Sequence, residues 1–205
     1  MKKLTLYKPL YPFTISQGFG QNLSDLYKKL GMLGHNGLDC VRGHLNGKYY
    51  EIDGAYVRAS HEGVVTYTGI DSCEGLGVVV RTNEPFEYKG EETYFKTIYW
   101  HLKTGTIKVK TGDSVKIGDI LAEAGNTGCS SGSHLHFGLK PIAKGENDWT
   151  WMNIEQNNGY FGAIDPLPYL NKLSAYEVMS SIQQMQSKIA KILAAIAELM
   201  KTFKK

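Results

Sequence analysis

The chain has 205 residues, a length that fits one domain and a shorter additional segment, and 42% of its residues are hydrophobic. Charged residues make up 21% and the formal net charge is +3, which excludes a disordered or collagen-like chain. The lysines are scattered and form no basic stripe of the kind that nucleic-acid-binding proteins carry. We therefore expect no nucleic-acid partner.

The first residues resemble the start of a signal peptide only in their two lysines. Tyr7, Lys8, Pro9 and Pro12 interrupt the apolar run that an export signal needs. We therefore predict no signal peptide in this chain, and the route of export stays open. No run of uncharged apolar residues reaches the roughly 18 that span a membrane.

Residues 1 to about 170 predict a β-rich domain of short strands separated by glycine turns. Four runs of β-branched and aromatic residues, bounded by turn residues, predict strands at 64–68, 78–81, 94–100 and 134–139. A single short helix is predicted in this part, at 22–30.

The segment 143–162 shows no clear periodicity and predicts a long surface loop, which in proteins is often functional. It contains Trp149 and Trp151. Two interpretations of this pair remain open: it lines a substrate groove, or it belongs to an ordinary hydrophobic cluster.

The last part of the chain predicts a long amphipathic helix. Ser174 followed by Glu177 is a capping-box pattern, and no glycine or proline follows it. Apolar residues then recur at steps of three and four, a period of 3.5 with isoleucine at both core positions. They are Ile182, Met185, Ile189, Ile192, Ile196, Leu199 and Phe203. This repeat favours a coiled coil of three or four strands, so we predict a homo-oligomer formed through 174–205.

Two other environments for this helix remain open. The helix packs against its own domain, or it lies on a membrane surface. Leu193 and Met200 widen the apolar face, and Lys201, Lys204 and Lys205 follow at its end, which suits the surface of an anionic membrane.

The chain has three cysteines, an odd number, and no CxxC pair, which argues against a disulfide framework and against a cysteine zinc site. They are Cys40, Cys73 and Cys129. A bridge between Cys73 and Cys129 is left open.

The arrangement of the six histidines carries the functional argument. His134 and His136 are two apart in a predicted strand, so both side chains point to one face while Leu135 points to the core. Taken alone, this HxH pattern is weak evidence for a metal site. His44 and His61 lie outside any such pattern and are interpreted as structural residues.

Two further elements supply metal-ligand chemistry. His35 and Asp39 are four apart and share a face, and Gly37 lets the backbone turn closely between them. Imidazole and carboxylate are groups that bind Zn²⁺ well. His101 ends an aromatic strand and, by itself, is typical of a residue in a barrel wall.

Together, HxxxD, YxHL and HxH occur in the order and spacing of a known family. The sequence resembles the lysostaphin-type (LytM-like) zinc metalloendopeptidases, which cut peptidoglycan peptides. Four further segments carry the resemblance: an opening turn at 17–20, a "v.A..dG.V" hairpin at 57–65, the segment 110–122, and the strand and its preceding loop at 126–138. The resemblance covers residues 13 to about 170.

This resemblance implies a mainly β fold, an antiparallel, barrel-like sheet of the duplicated hybrid type. It implies a zinc metallopeptidase domain at 1–170, and the apolar repeat adds a C-terminal α-helix at 174–205. Carried over residue by residue, it implies that His35, Asp39 and His136 hold Zn²⁺. His134 would take a proton from the bound water, and His101 would orient the water or donate to the oxyanion, with the choice of general base left open.

The implied function is zinc-dependent hydrolysis of cross-link or stem-peptide bonds in bacterial peptidoglycan, which would be the partner. The enzyme would act at the cell wall, as an extracellular, periplasmic or phage-delivered protein such as an endolysin. The alternative is an inactive relative that serves as a binding or assembly module. Such relatives typically lack a ligand, whereas this chain has all of them.

Overall fold

Most of the chain forms β-strands, in a computed structural model that describes residues 1–22, 25–144 and 151–202. The strands are β1 (Leu6–Lys8), β2 (Thr14–Gln17), β3 (Leu38–Val41), β4 (Gly43–Leu45), β5 (Lys48–Tyr50), β6 (Tyr56–Arg58), β7 (Gly63–Asp71), β8 (Gly75–Thr82), β9 (Phe86–Tyr88), β10 (Glu91–Trp100), β11 (Ser114–Val115), β12 (Ile120–Glu123), β13 (Leu135–Lys144), β14 (Trp151–Asn153) and β15 (Leu170–Ser174). The helices are α1 (Leu26–Lys29) and α2 (Ala175–Thr202), and a 3₁₀ turn covers Leu167–Tyr169. The prediction of a mainly β fold with a C-terminal helix is confirmed.

One large antiparallel sheet organises the domain. Its strands follow the order β11-β7-β8-β10-β13-β3-β2, with β9 paired to β10 and β14 paired to β13. The four strands predicted from the sequence are β7, β8, β10 and β13, which lie side by side in this order. Small two-stranded sheets flank it, β6 with β12, β4 with β5, and the parallel pair β1 and β15.

The two faces of this sheet differ. Alternate residues of the central strands, including Phe95, Tyr99, Phe137 and Leu139, are fully buried in the hydrophobic core. The intervening residues point to the opposite face because strand side chains alternate. That face carries His136, which lies directly opposite Trp100 in the register of β10 and β13. The sheet therefore carries its functional side chains on the face opposite the hydrophobic core.

Three local predictions need correction. The segment 143–162 is not one irregular loop, because β13 continues to Lys144 and pairs with β14. Residues 57–65 do not form a hairpin, because β6 pairs with β12 whereas β7 pairs with β8 and β11. The predicted helix at 22–30 is only the four-residue α1. Trp149 lies outside the described residues, and so does the middle of the loop.

The helix α2 begins as the capping-box pattern predicts. The Ser174 N–H donates to Glu177 Oε2 (2.7 Å), and the Glu177 N–H donates to Ser174 Oγ (3.1 Å). The first turn is held to the β domain by the stacking of Tyr176 on Tyr11, whose ring centroids are 5.2 Å apart.

Beyond this anchor, the apolar seam of α2 is exposed. The described seam residues from Ile182 to Leu199 are 48% to 62% exposed. The interpretation that the helix packs on its own domain is therefore wrong, because each of these seam side chains is about half exposed or more. Phe203, Lys204 and Lys205 lie outside the described residues. None of the described helices combines the length and the apolar character needed to cross a bilayer.

Candidate metal and catalytic site

Asp39 and His136 meet across two neighbouring strands. They are direct partners in the register of β3 and β13, and His136 Nδ1 lies 3.3 Å from Asp39 Oδ1. His134 Nε2 lies 3.5 Å from the same oxygen. Leu135, between the two histidines, is fully buried. The prediction that the HxH histidines share a face is confirmed.

His35 completes a compact group of three ligand-type side chains. Its Nε2 lies 2.9 Å from His136 Nδ1 and 3.0 Å from Asp39 Oδ1. Its Nδ1 lies 3.2 Å from the carbonyl oxygen of Gly18, and its backbone N–H donates to Gln21. Because a carbonyl can only accept, Nδ1 carries the proton and Nε2 presents its lone pair to the group.

The three groups form a triangle that can hold a metal ion. Its edges are 2.9, 3.0 and 3.3 Å. A tetrahedral zinc ion with bonds of about 2.0–2.2 Å places its ligand atoms about 3.3–3.5 Å apart, so the triangle is close to one face of that tetrahedron.

Gly37 lies in a bend and is also required by packing. A Cβ at this position would lie 2.7 Å from Cε1 and Nε2 of His136 and 2.8 Å from the carbonyl oxygen of Phe137. The ring of His136 therefore rests directly against the backbone at Gly37. The expectation of a close turn at Gly37 agrees with the bend at residues 36–37, and the contact with His136 is a further reason for glycine at this position.

His101 reaches the site by leaving its strand. Regular alternation after Trp100 would turn His101 toward the core, but its backbone adopts φ 60°, in the left-handed region. Its Nδ1 lies 2.8 Å from the carbonyl oxygen of Thr127, and its ring centroid lies 4.6 Å from that of His134. The barrel-wall interpretation is therefore wrong, and all five predicted site residues lie in one cluster.

The charges of the cluster are set by burial and by the shared carboxylate. Burial opposes the charge of Asp39, but contacts from His134, His136 and His35 outweigh it and hold its pKa well below the usual range. Burial lowers the pKa of His101 to about 4, so its imidazole is neutral at pH 7. Burial would lower the pKa of His134, but the hydrogen bond and charge of Asp39 raise it above its ordinary value.

The cluster lies in an open cleft of about 360 Å³. Tyr27 and Met32 line one side, and Cys73, Glu74 and Cys129 line the other. Sequence reasoning missed Tyr27, whose ring packs 5.7 Å from that of His35 and whose hydroxyl accepts a hydrogen bond from Gln17 (2.7 Å). In the sequence, only the resemblance of residues 17–20 to the opening turn of the family indicated that this part of the chain lies near the site.

The three cysteines are free thiols. Cys40 is buried in the core, as strand alternation predicts. Cys73 and Cys129 are neighbours at the rim of the cleft, where the Cys129 N–H donates to the Cys73 carbonyl (2.5 Å). The nearby thiol of Cys129 raises the pKa of Cys73 to about 12. His44 lies on the β4–β5 hairpin, away from the cleft.

More than half of the chain, residues 43–148, matches the sequence profile described as Peptidase family M23. The chain belongs to peptidase family M23. M23 peptidases are generally metallopeptidases, so the class of the chain is that of a metallopeptidase hydrolase. The matched region contains His101, His134 and His136 but begins after His35 and Asp39. The inclusion of these last two residues in the site therefore rests on the geometry.

Curated proteins with M23-like segments include the DD-carboxypeptidase/endopeptidase Mpg of Neisseria meningitidis, 28% identical over 130 residues. This alignment covers 63% of the chain but only 25% of the length of Mpg. A shorter match, 46% identical over 43 residues, is to an uncharacterized metalloprotease of Haemophilus influenzae and covers 21% of the chain and 9% of that protein.

Solved structures share the fold of this M23 domain. The catalytic domain of the antimicrobial peptidase lysostaphin from Staphylococcus simulans aligns with a TM-score of 0.52 at 24% identity, over 77% of the chain and 91% of that domain. A chain of the SpoIIQ–SpoIIIAH pore forming complex aligns with a TM-score of 0.51 at 22% identity, over 89% of the chain and 98% of that chain. The fold thus occurs in a peptidase and in a pore complex, so function must be argued from the site.

Proposed function

We propose that the chain is a zinc-dependent endopeptidase that hydrolyses peptide bonds of bacterial peptidoglycan. The observation that carries the proposal is the triangle of His35, Asp39 and His136, faced by His101 and His134 in one open cleft. The names of the relatives, an endopeptidase and an antimicrobial peptidase, support the same substrate class.

Zinc suits this ligand set. Two neutral imidazoles and one carboxylate are a borderline donor set, and three protein ligands leave the fourth tetrahedral position for water. The ligand atoms are His35 Nε2, His136 Nδ1 and Asp39 Oδ1. Zinc bound there would acidify water and polarise the carbonyl of the bond to be cut.

The two remaining histidines handle the proton of the attacking water. His134 Nδ1 lies 2.8 Å from the carbonyl oxygen of Gly132, so in the neutral ring Nδ1 donates and Nε2 is free to take a proton. His101 is arranged in the same way on Thr127. In its neutral form His101 accepts through Nε2, which suits it to orient the water, and once this nitrogen has taken a proton it can donate to the oxyanion.

Digestion of purified cell walls tests the proposal directly. Walls with different cross-link chemistry are incubated with the protein, with and without 1,10-phenanthroline, and the soluble products are identified by mass. We expect new amino termini within the peptides, absent with the chelator and restored by zinc. No cleavage of any wall by zinc-loaded protein would contradict the proposal and favour the assembly role, which the SpoIIQ fold also allows.

The substrate implies a place of action and the helix implies a partner. The protein would act at the bacterial cell wall, whatever its route there.

For the helix α2, we assign a second copy of this chain as the partner. Eight apolar side chains on α2 are each 48% to 62% exposed. Their 3.5-residue period is that of a helix that packs against copies of itself.

A further inference from the structure

A row of three cations crosses the face of the sheet opposite the hydrophobic core. Arg81, Lys96 and Lys140 are direct register partners on β8, β10 and β13. Lys140 is an even number of residues from His136, so its side chain points to the same face as the candidate metal site. All three side chains are half-buried.

This row carries an energetic cost. Like charges directly opposite each other on neighbouring strands destabilise a sheet. Burial lowers the pKa of Lys96, and burial together with the charge of Lys96 lowers the pKa of Lys140 to about 8. Among the described residues, no carboxylate forms an ion pair with either ammonium group. Asp71 lines the same groove, but its Oδ1 accepts the backbone N–H groups of Cys73 and Glu74.

Arg81 and Lys96 line a groove of about 490 Å³ with an aromatic wall, and Lys140 lies beside them as the register partner of Lys96. Trp100 lies flat across Gly77, where a Cβ would come within 1.8 Å of the indole. The ring of Tyr67 meets Trp100 edge-on at 5.7 Å. Aromatic and aliphatic surface next to buried cations is suited to a ligand that is partly apolar and carries an anionic group.

The groove is aligned with the candidate catalytic row. Trp100 and His136 form one cross-strand row, Ile98 and Gly138 form the next, and Lys96 and Lys140 form the third. Four residues along β13 separate His136 from Lys140, which is about 13 Å of strand. An extended peptide covers this distance with about four residues.

We propose that Arg81, Lys96 and Lys140 bind a carboxylate of the substrate peptide, about four residues from the bond that is cut. The inference rests on the proposed function, because it assigns the substrate of that site. A bound carboxylate would offset the mutual repulsion of Lys96 and Lys140 and accept charge-assisted hydrogen bonds. The row is thus a specificity-determining site, separate from the groups that touch the reacting bond.

The test measures binding to peptidoglycan by co-sedimentation. Peptidoglycan is first stripped of phosphate polymers, and half of it then has its free carboxylates converted to amides with carbodiimide and ammonia. The full chain is used in the His134→Ala background, which keeps all three ligand residues. We expect binding to fall about tenfold when the carboxylates are amidated, the loss of about one charged hydrogen bond.

The variant Lys96→Gln with Lys140→Gln separates the row from general charge effects. It should bind untreated peptidoglycan about tenfold more weakly and no longer distinguish the two materials. Its melting temperature should equal or exceed that of the parent, because the like-charge contact is removed. The matched control, Lys110→Gln with Lys172→Gln, removes the same charge at two exposed sites and should bind and discriminate like the parent.

The outcomes are distinct. Discrimination that survives in Lys96→Gln with Lys140→Gln, or an equal loss in the control, would overturn the inference. Discrimination found only before the phosphate polymers are removed would overturn the carboxylate assignment. A chain that discriminates but hydrolyses no wall would contradict the proposed function alone, and an active chain without discrimination would contradict this inference alone.

Discussion

Individual side chains determine whether the site holds metal. Purified protein should contain about one zinc per chain, and His35→Ala with His136→Ala should lose it, because two of the three ligand atoms are removed. Elemental analysis by mass spectrometry measures this directly. Full zinc occupancy in the double variant would rule out this ligand set.

Gly37 offers a sharper test, because it bears no ligand atom. We expect Gly37→Ala to lower zinc affinity at least tenfold, since the new methyl group displaces the ring of His136. Gly132→Ala is the matched control, because a Cβ there meets no atom within 4 Å. Competition with a chromogenic chelator gives both affinities. Equal zinc affinities in the two variants would mean that the ring of His136 does not need this contact.

His101 and His134 should matter for the reaction but not for metal content. We expect His101→Asn and His134→Ala each to lower kcat at least 100-fold while zinc content and the melting temperature stay nearly unchanged. Asn is chosen at position 101 because it tolerates the positive φ, so backbone strain does not confound the result. Near-wild-type turnover in either variant would show that the role assigned to it is wrong.

Sequence reasoning identified all five residues of the cluster, but through different kinds of signal. The HxH pair follows from strand alternation alone, since alternation places both rings beside Asp39. His101 could be found only through the family resemblance, because alternation predicts the wrong direction for it. The left-handed backbone at this position depends on the contacts of the 126–133 loop, which leave no local mark in the sequence.

At the level of elements, the strands with branched and aromatic side chains were predicted well. β8 and β10 are rich in β-branched and aromatic residues, and their register then follows from burial of one face. β14 was missed because its three residues carry no such pattern. Its formation depends on backbone hydrogen bonds to the free edge of β13, a property of the folded sheet rather than of the segment.

His61 connects one element to the pH dependence of stability. It is buried, its Nδ1 lies 2.8 Å from the carbonyl oxygen of Glu62, and its Nε2 lies 2.9 Å from Thr97 Oγ1. Burial lowers its pKa from 6.5 to about 4. His61 in the unfolded chain therefore becomes protonated below about pH 6.5, whereas in the folded chain it stays neutral until about pH 4. The stability that neutral His61 contributes is lost as the pH falls from 6.5 to 4.

The free energy of unfolding should therefore drop by about 3 kcal/mol between pH 6.5 and 4 because of this residue alone. Urea unfolding at several pH values measures the slope. His61→Gln should be less stable at pH 7.5 but lose this part of the slope, while the exposed control His44→Gln should keep it. Parallel slopes in His61→Gln and the parent would contradict the assignment.

At the scale of the whole molecule, the chain combines a β domain that has a hydrophobic core with a C-terminal helix whose apolar seam is exposed. The division into a domain at 1–170 and a helix at 174–205 remains a prediction. The contacts of the first turn, such as Arg58 over the ring of Tyr176 at 5.5 Å, show that the helix is attached at its start. The 3.5-residue period of the apolar residues could be predicted from the sequence. The partner that packs on the seam could not, because a period does not identify a partner.

The exposed seam predicts self-association through α2. Light scattering at micromolar concentration should give a trimer or tetramer, because isoleucine at both core positions favours these states. Ile189→Asp with Ile196→Asp places two charges in the seam and should return a monomer. Ser187→Asp with Ala194→Asp places the same charges on the opposite face of the helix and should leave the oligomer intact.

The monomeric variant should still cleave small peptides at the parental rate, because all five residues of the cluster precede residue 140 and none lies on α2. A parent chain that is monomeric across the micromolar range would refute the coiled coil. If that monomer instead bound vesicles containing anionic lipid, and lost the binding in high salt, the membrane-surface interpretation would replace it. Lys201, Lys204 and Lys205 would then supply the electrostatic contacts beside the apolar face.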